Sequence, residues 1–510
     1  MTLKLILGDQ LNLQHPWYEQ VDEKVVFVLM EMRQETDYVP HHIQKVVAFF
    51  GAMRNFNEAL LSRGHRTHYL TLNDKENTQR LEGNLSLLLA HYSADKFSYQ
   101  EPDEYRLDLQ LKDFCNTLSI PFSMEDSCHF MTSRTELATF FEGKKQFILE
   151  FFYRYMRRKY NLLMRFDQPE GGQWNFDKNN RNKWKGTPPI PPAYLPDGKN
   201  LMALKEAIEK AGVKTIGSLN EEEFRYPLSR EEALKQLDYF CTHLLVHFGD
   251  YQDALHTDEV NLFHSRISFA LNVKMIHPLE VVETVIAYYR KNQKEIALSQ
   301  VEGFVRQILG WREYMRGIYW KEMPEYAKTN VLENTNPLPS FYWTGKTKMN
   351  CLHQSITNSL EHAYAHHIQR LMITGNFALL AQIHPDAVDE WYLGIYADAI
   401  QWVQITNTRG MSQWADGGIV ATKPYVSAAA YIHKMSNYCD RCTYDKKKRV
   451  GEDACPFNSL YWNFLDDKKQ YFAKNNRMAM MLRLLEKIQV DDLVQIKERA
   501  SQIIKNPDAY

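Results

Sequence analysis

The start of the chain decides the fold: residues 3–9 read Leu-Lys-Leu-Ile-Leu-Gly-Asp, and residues 24–31 read Lys-Val-Val-Phe-Val-Leu-Met-Glu. Both apolar runs have the length of a buried strand. Working outward, further segments alternate between helical spacing (41–63, 81–92 and 107–118) and strand-like runs (65–72, 96–99 and 120–124). This alternation predicts a doubly wound parallel sheet. We therefore expect an α/β domain over residues 1–130.

Polar residues follow the first two predicted strands. Gly8 and Asp9 come directly after the first strand, and Glu35 and Tyr38 come after the second. Ligands of parallel sheets bind at the carboxyl ends of strands. No Gly-x-Gly-x-x-Gly is present in the sequence, so the dinucleotide fingerprint is missing. Taken by themselves, these residues favour a tight turn over a ligand site.

The rest of the chain changes character. Residues 131–200 contain a proline-rich stretch, Pro188 to Pro196, and are interpreted as an extended interdomain linker. Helical spacing then dominates residues 201–510, which we expect to form a large all-α domain. The segments that suit helices are 221–248, 278–291, 301–320, 352–374, 386–403, 423–437 and 478–488.

Composition excludes several classes of protein. The 510 residues are 44% hydrophobic and carry a formal net charge of −2, which excludes a mostly disordered chain. Near-zero net charge argues only weakly against nucleic-acid binding, because local patches matter more. The apolar run before Gly8 is too short for a signal peptide, and no stretch reaches the length of a membrane span. With seven cysteines and no disulfide pattern, we expect a cytoplasmic protein without membrane contact.

Three cysteines form a spaced motif near the C terminus. Cys439 and Cys442 are separated by two residues, and Cys455 follows twelve residues later, directly before a proline. Four ligands are needed for structural zinc or an iron–sulfur cluster, and Cys351 in the same domain is our choice for the fourth. The alternatives are zinc with His353 or His433 as fourth ligand, or a redox dithiol. Spacing alone does not separate zinc from a 4Fe–4S cluster.

A second motif lies within residues 352–374. If this segment is one helix, then His362, His366 and Arg370 share one stripe at i, i+4 and i+8, and His367 lies one step round. Such a stripe suits an anion or a flavin phosphate, and a histidine is a general acid near neutral pH. The plainer interpretation is a polar network between helices.

Several motifs together carry a resemblance to a known family. They are ILGDQL (6–11), FFYRYMRRKYNLLM (151–164), GGQWNFD (171–177), VRQILGWREYMRG (305–317), FYWTGKT (341–347), EHAYAHHIQRLMITGNFALLA (361–381), GMSQWADGG (410–418) and TKPY (422–425), with the four cysteines. Along essentially its whole length the chain resembles the iron–sulfur bacterial cryptochromes and photolyases, the prokaryotic (6-4) photolyases.

The resemblance implies a light-driven repair enzyme for (6-4) photoproducts in UV-damaged DNA, double- or single-stranded. It implies a Rossmann-like antenna domain that holds 6,7-dimethyl-8-ribityllumazine, and an all-α photolyase domain that binds FAD. It also implies a C-terminal 4Fe–4S cluster, which resolves the choice between zinc and iron–sulfur by similarity. We expect a monomer in the bacterial cytoplasm, at the nucleoid. Whether Mg²⁺ assists DNA binding stays open.

Matching positions carry the family's functional residues. The resemblance implies His367 as proton donor and His366 as its partner, with Tyr425 and Tyr431 in the lesion pocket. It implies electron relay through Trp343, Trp391 and Tyr392. The implied FAD residues are His264, Ser265, Ser268, Gln307, Arg312, Arg370, Asp398, Gln404 and Asn407; the lumazine residues are Gly8, Asp9, Glu35 and Tyr38; the cluster ligands are Cys351, Cys439, Cys442 and Cys455. The family often has a carboxylate where Gln404 stands.

DNA contact is expected on a basic stretch. Residues 151–166 contain five basic side chains and no acid, with aromatics between them, which suits phosphate contact and base stacking. The DNA contacts that we expect are Arg154, Arg157, Arg158, Asp177 and Arg181. Two other functions stay open: a blue-light receptor that signals without repair, and a structural nucleic-acid module like the helical iron–sulfur domains of primases.

Overall fold

Five parallel strands form the sheet that the N-terminal alternation predicts. In this computed structural model, which describes residues 1–196 and 201–510, the strands lie in the order β4-β2-β1-β5-β6. Their bounds are β1 Thr2–Leu5, β2 Val25–Met30, β4 Thr67–Leu70, β5 Lys96–Gln100 and β6 Phe122–Glu125. Two short pairs lie outside the sheet: β3 His41–His42 with β9 Thr215–Ile216, and β7 Met164–Arg165 with β8 Gln168–Pro169.

The two faces of the sheet belong to different cores. Successive residues of a strand point to opposite faces of the sheet. Val26 and Val28 therefore pack on one side, into a core shared with the helices Leu81–His91 and Tyr105–Cys115. Phe27 and Leu29 pack on the other side, into a core that continues through the helical part of the chain. The helices of this α/β part are α1 Arg33–Thr36, α2 Ile43–Ser62, α3 Leu81–His91 and α4 Tyr105–Cys115.

Helices make up most of the remaining chain. Their bounds are α5 Glu136–Phe140, α6 Leu149–Tyr160, α7 Leu201–Lys210, α8 Arg230–Tyr239, α9 Leu245–Tyr251, α10 Ser268–Asn272, α11 Pro278–Lys291, α12 Leu298–Val305, α13 Glu313–Glu322, α14 Phe341–Thr344, α15 Asn350–His362, α16 Asn376–Leu380, α17 Pro385–Ile395, α18 Gln401–Ile405, α19 Ala429–Met435, α20 Pro456–Asp467, α21 Lys469–Phe472, α22 Ala479–Leu485 and α23 Val490–Lys505. The end of the expected linker, residues 197–200, lies outside the described residues, as does the boundary placed at its end.

Several helices that the sequence predicts as continuous are broken or shorter. The predicted helix 221–248 becomes α-helical only at Arg230, and within 423–437 the α-helix is Ala429–Met435. The predicted helix 352–374 ends at His362, because Ala363 takes a left-handed backbone with φ +50°. The expectation of one stripe through His362, His366 and Arg370 is therefore wrong. The predicted helix 386–403 is likewise interrupted between α17 and α18, and Asp398 lies in that gap. Periodicity does not reveal such breaks, since apolar spacing continues across them.

Buried lysines connect the α/β part to the helical part. Lys274, just beyond α10, donates from Nζ to the Asp9 carbonyl at 2.7 Å and to Asp103 Oδ2 at 2.5 Å. Lys45 of α2 donates to the carbonyls of Leu393 and Ala399, at 2.8 Å each. A buried ammonium group with these partners holds the two parts in one orientation.

Candidate functional site

A cavity of about 340 Å³ lies within the helical part of the chain. Its walls come from the segment before and within α10, from the chain around α12 to α13, and from the two helix breaks described above. It brings together nine residues that the sequence analysis assigns to FAD: His264, Ser265, Ser268, Gln307, Arg312, Arg370, Asp398, Gln404 and Asn407. His366, His367 and Tyr392 lie in the same wall.

Stretches of π-helix shape this cavity. The segments Arg306–Arg312, Gln369–Gly375 and Thr406–Ser412 have π-helical hydrogen bonding, and each contributes residues to the cavity wall. A π-turn inserts a residue into a helix and turns side chains out of their regular register, and such turns are frequent at functional sites. A fourth π segment, Phe240–Leu244, lies between α8 and α9.

Buried polar atoms in the wall lack partners within the described part of the chain. They are Nε of Arg312 and Nη1 of Arg266. Nη1 of Arg312 forms an ion pair with Glu313 Oε1 at 3.5 Å. Burial lowers the pKa of Arg312 to about 10, which reports the cost of a charge held away from water. A negatively charged, hydrogen-bonding ligand would satisfy these donors. The donor set therefore fits the phosphates and the ring carbonyls of a flavin dinucleotide.

His366 caps the helix that follows the break. Its Nδ1 accepts from the Ile368 amide at 3.3 Å, and its own amide donates to Gln369 Oε1 at 3.2 Å, as in a capping box. Because Nδ1 is an acceptor, the ring proton is on Nε2. The ring stacks on that of His264, with centroids 4.7 Å apart. Burial, followed by the charge of His264, lowers the pKa of His366 well below its usual value, so the ring is neutral at pH 7.

His367 faces the open cavity. Its side chain is exposed to the open volume of the cavity. Burial within the protein and the nearby Arg370 lower the pKa of His367 to about 4. Arg370 itself is held by an ion pair with Asp398 at 3.0 Å and lies 3.8 Å over the Tyr396 ring.

Tyr425 and Tyr431 do not line the cavity. Asp177 and Arg181 act on Tyr425 through space, and Arg181 also acts on Tyr431. Burial raises the pKa of Tyr431 to about 12, with Asp253 adding to the shift and Arg181 opposing it. Arg181 is exposed and forms an ion pair with Asp177. Asp177 also contacts Arg306, at 3.4 Å.

Aromatic rings extend from the cavity wall toward the surface. Tyr392 packs against Trp391 at 5.2 Å, and Trp391 packs edge-on against Tyr342 at 5.1 Å. Trp343 follows Tyr342 on the single turn of α14, and 39% of its surface is exposed. Trp391 and Tyr392, two of the three residues expected to relay electrons, are thus in ring contact, whereas Trp343 is linked to Tyr342 as its neighbour in the chain.

A second cavity lies at the carboxyl ends of β1 and β2. It is lined by the four residues expected to hold lumazine, Gly8, Asp9, Glu35 and Tyr38, and by His41 and Lys45. Burial and the charge of Lys45 lower the pKa of His41 well below its usual value, and a backbone hydrogen bond at Glu35 opposes the shift. Glu35 is paired with Arg106 at 2.6 Å. Burial raises the pKa of Asp9 to about 6, with Lys274 opposing the shift.

All four cysteines of the predicted cluster line one small cavity. Burial raises the pKa of Cys351 well above its usual value, and the neighbouring Cys455, Cys439 and Cys442 raise it further. Within residues 1–196 and 201–510, no group of three or more His, Cys, Asp or Glu side chains could hold a metal ion in its present arrangement. Neither His353 nor His433, the alternative fourth zinc ligands, lines the cysteine cavity.

The basic stretch on α6 separates into buried and exposed side chains. Arg158 is exposed and lies 4.6 Å over the Trp174 ring, and Arg154 pairs with Glu150 at 2.8 Å. Arg157 is only 1% exposed, and its guanidinium donates to the carbonyls of Leu162, Leu163 and Trp174. The expectation that Arg157 contacts DNA is therefore wrong, because its donors are already used to fold the following loop.

Comparison with known proteins places the chain in a family. Residues 4–224 match the family model described as "Deoxyribodipyrimidine photo-lyase-related protein". A protein of Agrobacterium fabrum named "(6-4) photolyase" is 41% identical over 509 residues, which cover 99% of each chain. The chain belongs to the (6-4) photolyase family. This is the family that the motifs of the sequence resemble.

Solved structures share the fold of this (6-4) photolyase family member. A bacterial class III photolyase from Agrobacterium tumefaciens has a TM-score of 0.59 at 14% identity, covering 100% of this chain and 97% of that chain. A cryptochrome from Synechocystis has a TM-score of 0.57 at 12% identity, covering 96% and 99%. At these identities the likeness shows the photolyase and cryptochrome fold alone, with its α/β part and its helical part.

Several cavity residues escape prediction from the sequence. Tyr364 lines the main cavity and Tyr396 packs beneath Arg370, and both lie in helix breaks that the periodicity conceals. Lys45 is read from the sequence as one residue of an amphipathic helix.

In the part of the chain that the structure describes, no helix combines the length and the apolar character that crossing a membrane requires.

Proposed function

We infer that the protein is a light-dependent DNA-repair enzyme that reverses pyrimidine–pyrimidone (6-4) photoproducts. The observation that carries this inference is the identity of 41%, over 99% of both chains, to a protein named (6-4) photolyase. The cavity adds a chemical argument, since it places two histidines beside a set of unpaired donors. The division into residues 1–130, 131–200 and 201–510 is part of this proposal.

FAD is the cofactor that the main cavity suits. When bound, FAD supplies the electron that splits the damaged pair, and the protein orients it and tunes its surroundings. Arg312 and Arg266 offer donors that lack partners within the described residues. Arg370 and Asp398 hold each other in place at the wall. Gln404, whose amide donates to Thr408, presents a neutral group where the family often has a carboxylate.

A (6-4) lesion needs a proton when a group transfers back between the two rings, so a histidine within hydrogen-bond reach is expected. We assign His367 as the donor because it faces the open cavity. With a pKa of about 4 the ring is neutral at pH 7, so it takes up a proton from solvent before it donates one, and negative charge on the bound substrate would raise this pKa and favour the uptake. His366 positions the segment that carries His367, because its ring caps the start of the helix that follows.

The lesion reaches the cavity only if it is flipped out of the duplex, because the cavity lies inside the helical part of the chain. Tyr425 and Tyr431 are proposed to contact the flipped bases. Arg154, Arg158 and Arg181 are proposed to contact the backbone, with Asp177 orienting Arg181 through their ion pair. Repair of genomic DNA in turn favours a site of action at the nucleoid.

Two further groups complete the proposal. The cavity at the sheet edge suits lumazine, which when bound would supply light harvesting. The four cysteines line one small cavity and have the thiol chemistry of 4Fe–4S ligands, and the default role of such a cluster is structural. Trp343, Trp391 and Tyr392 are proposed as the path by which electrons reach the flavin site.

Illumination of the purified protein with a (6-4)-containing oligonucleotide tests the proposal. With the flavin reduced, blue light should restore the undamaged bases, and a dark sample should not. The absorption spectrum of the same preparation should show flavin, lumazine and cluster together. A flavin-loaded protein that leaves the lesion unchanged would support a blue-light receptor instead, and a colourless preparation would support a structural nucleic-acid module.

A further inference from the structure

An aromatic side chain is exposed at the tip of the hairpin that follows α6. The strands β7 Met164–Arg165 and β8 Gln168–Pro169 are joined by a two-residue turn, Phe166 and Asp167. Phe166 is 91% exposed, the largest exposed fraction among the large hydrophobic side chains of the described residues. Its ring therefore gains almost none of the free energy that burial of a phenylalanine normally contributes to folding.

The backbone at Phe166 is also one that phenylalanine disfavours. Its φ is +55°, in the left-handed region, where the Cβ atom lies too close to the following carbonyl oxygen. Two-residue hairpin turns that need a positive φ at their first position usually have glycine there. An exposed ring on a disfavoured backbone lowers stability in two ways, and departures of this kind from local preference cluster at functional surfaces.

The base of this hairpin is fixed to the rest of the fold. The buried Arg157 donates from Nε to the Leu162 carbonyl at 3.3 Å and from Nη2 to the Leu163 carbonyl. The amide of Glu170 donates to the same Leu163 carbonyl at 2.8 Å. Because its base is held by buried hydrogen bonds, the hairpin presents Phe166 in one direction.

Arginines accompany Phe166 along this surface. Arg165 precedes it on β7 and is exposed, and the exposed Arg158 lies in the last turn of α6, which leads into the hairpin. Residues 151–166 contain no acid, and Asp167 is the one acid of the hairpin. Guanidinium groups neutralise phosphates, and an exposed aromatic ring stacks on bases. The charge and the ring together are complementary to DNA.

The surface that carries the hairpin is joined to the wall of the main cavity through α12. Glu302 of α12 accepts hydrogen bonds from the Tyr153 hydroxyl of α6 and from the Phe176 amide, at 2.9 Å each. The next segment of the chain, Arg306–Arg312, contributes to the cavity wall. A duplex that contacts Arg158 while its lesion occupies the cavity is therefore held in a fixed position relative to the hairpin.

We propose that Phe166 is a wedge that inserts into the base stack of duplex DNA beside the lesion. The proposal rests on damaged DNA as the substrate, as inferred above, and adds a contact to bases where the basic side chains contact phosphates. An apolar side chain between two base pairs unstacks them and bends the duplex. Unstacking next to the lesion lowers the cost of flipping the damaged nucleotides into the cavity.

Binding of the full-length, flavin-loaded protein to a duplex with a (6-4) photoproduct, measured in the dark, tests the proposal. Phe166→Asn should weaken binding roughly 5- to 150-fold, the change that corresponds to one lost stacking contact. The salt dependence should stay the same, because no charge is removed. Phe166→Trp should retain the affinity. 2-Aminopurine at one position beside the lesion should become brighter with the native chain and not with Phe166→Asn.

Thermal unfolding separates the wedge from a structural role. Asparagine tolerates a positive φ better than phenylalanine does, so Phe166→Asn should raise the melting temperature while it weakens DNA binding. The control is Val490→Ala, which removes a side chain that is 77% exposed on α23 and should leave DNA affinity unchanged.

Three results would overturn the proposal: equal DNA affinities of Phe166→Asn and the native chain, a loss of affinity with a flatter salt dependence, or a 2-aminopurine signal that the substitution does not change. Failure of the native chain to bind damaged DNA would instead refute the proposed function itself.

Discussion

Replacement of Lys274 by Met should weaken the attachment of the sheet to the helical part. The ammonium group is 0% exposed and is bound to Asp103, which is 2% exposed, and to Asp9. Removing one member of a buried ion pair leaves an uncompensated charge and costs about 3–5 kcal/mol. With roughly 2.1 cal/mol/K of unfolding entropy per residue, the 510 residues together have an unfolding entropy of about 1 kcal/mol/K. Each kcal/mol of lost stability therefore lowers the melting temperature by about 1 K. The melting temperature should therefore fall by roughly 3–5 K.

The pH dependence of this loss distinguishes a charge effect from a packing effect. Burial already raises the pKa of Asp9 to about 6, and loss of the opposing Lys274 should raise it further. An acid with a raised folded-state pKa binds a proton that the unfolded chain does not, so stability is recovered as pH falls through the folded-state value. The variant should thus lose more stability at pH 8 than at pH 5.5.

Denaturant unfolding at both pH values provides the measurement, with hydrogen exchange of the Leu11 amide, which donates to the Val273 carbonyl across the same contact. Lys112→Met is the matched control, since its partly exposed ammonium pairs with Asp108 and should contribute under about 1 kcal/mol. A loss below 1 kcal/mol for Lys274→Met, or the same loss at both pH values, would refute the reasoning.

Four further outcomes follow from the structure. His367→Asn should lower the repair rate about 10²- to 10⁴-fold with unchanged flavin content, measured by single-turnover illumination; unchanged repair would exclude it as proton donor. Arg158→Ala should weaken DNA binding and flatten its salt dependence, whereas Arg157→Ala should lower stability, because its guanidinium holds three backbone carbonyls; the reverse pattern would contradict the burial argument. Cys439→Ala should lose iron and flavin together, and retention of flavin by a folded variant would remove the structural role of the cluster. Burial lowers the pKa of His42 to about 4, so the unfolded chain takes up a proton first as pH falls below 6.5, and this residue should contribute about 2 kcal/mol to the stability lost between pH 7.5 and 5, beside the contributions of His366 and His367; His42→Gln should make that loss smaller in urea unfolding, and an identical loss would argue against it.

Much of the fold was accessible from sequence because the relevant signals are local. The alternation of the first 130 residues predicts all five sheet strands, since strand and helix periods differ along the chain. The bounds of α11, Pro278–Lys291, coincide with the predicted segment, where a capping box built on His277 and Glu280 starts the helix. The breaks at Ala363 and before Asp398 were missed, because the apolar spacing continues while the backbone turns away.

The sequence by itself determined the element types, the family and which residue types are available for chemistry, because periodicity and motifs are properties of neighbouring residues. Only the tertiary structure decided which of them meet. It separated buried Arg157 from exposed Arg158, one position apart, and it placed Cys351 beside three cysteines more than eighty residues away. Burial and pairing depend on contacts between distant segments, and those contacts exist only after the chain has folded.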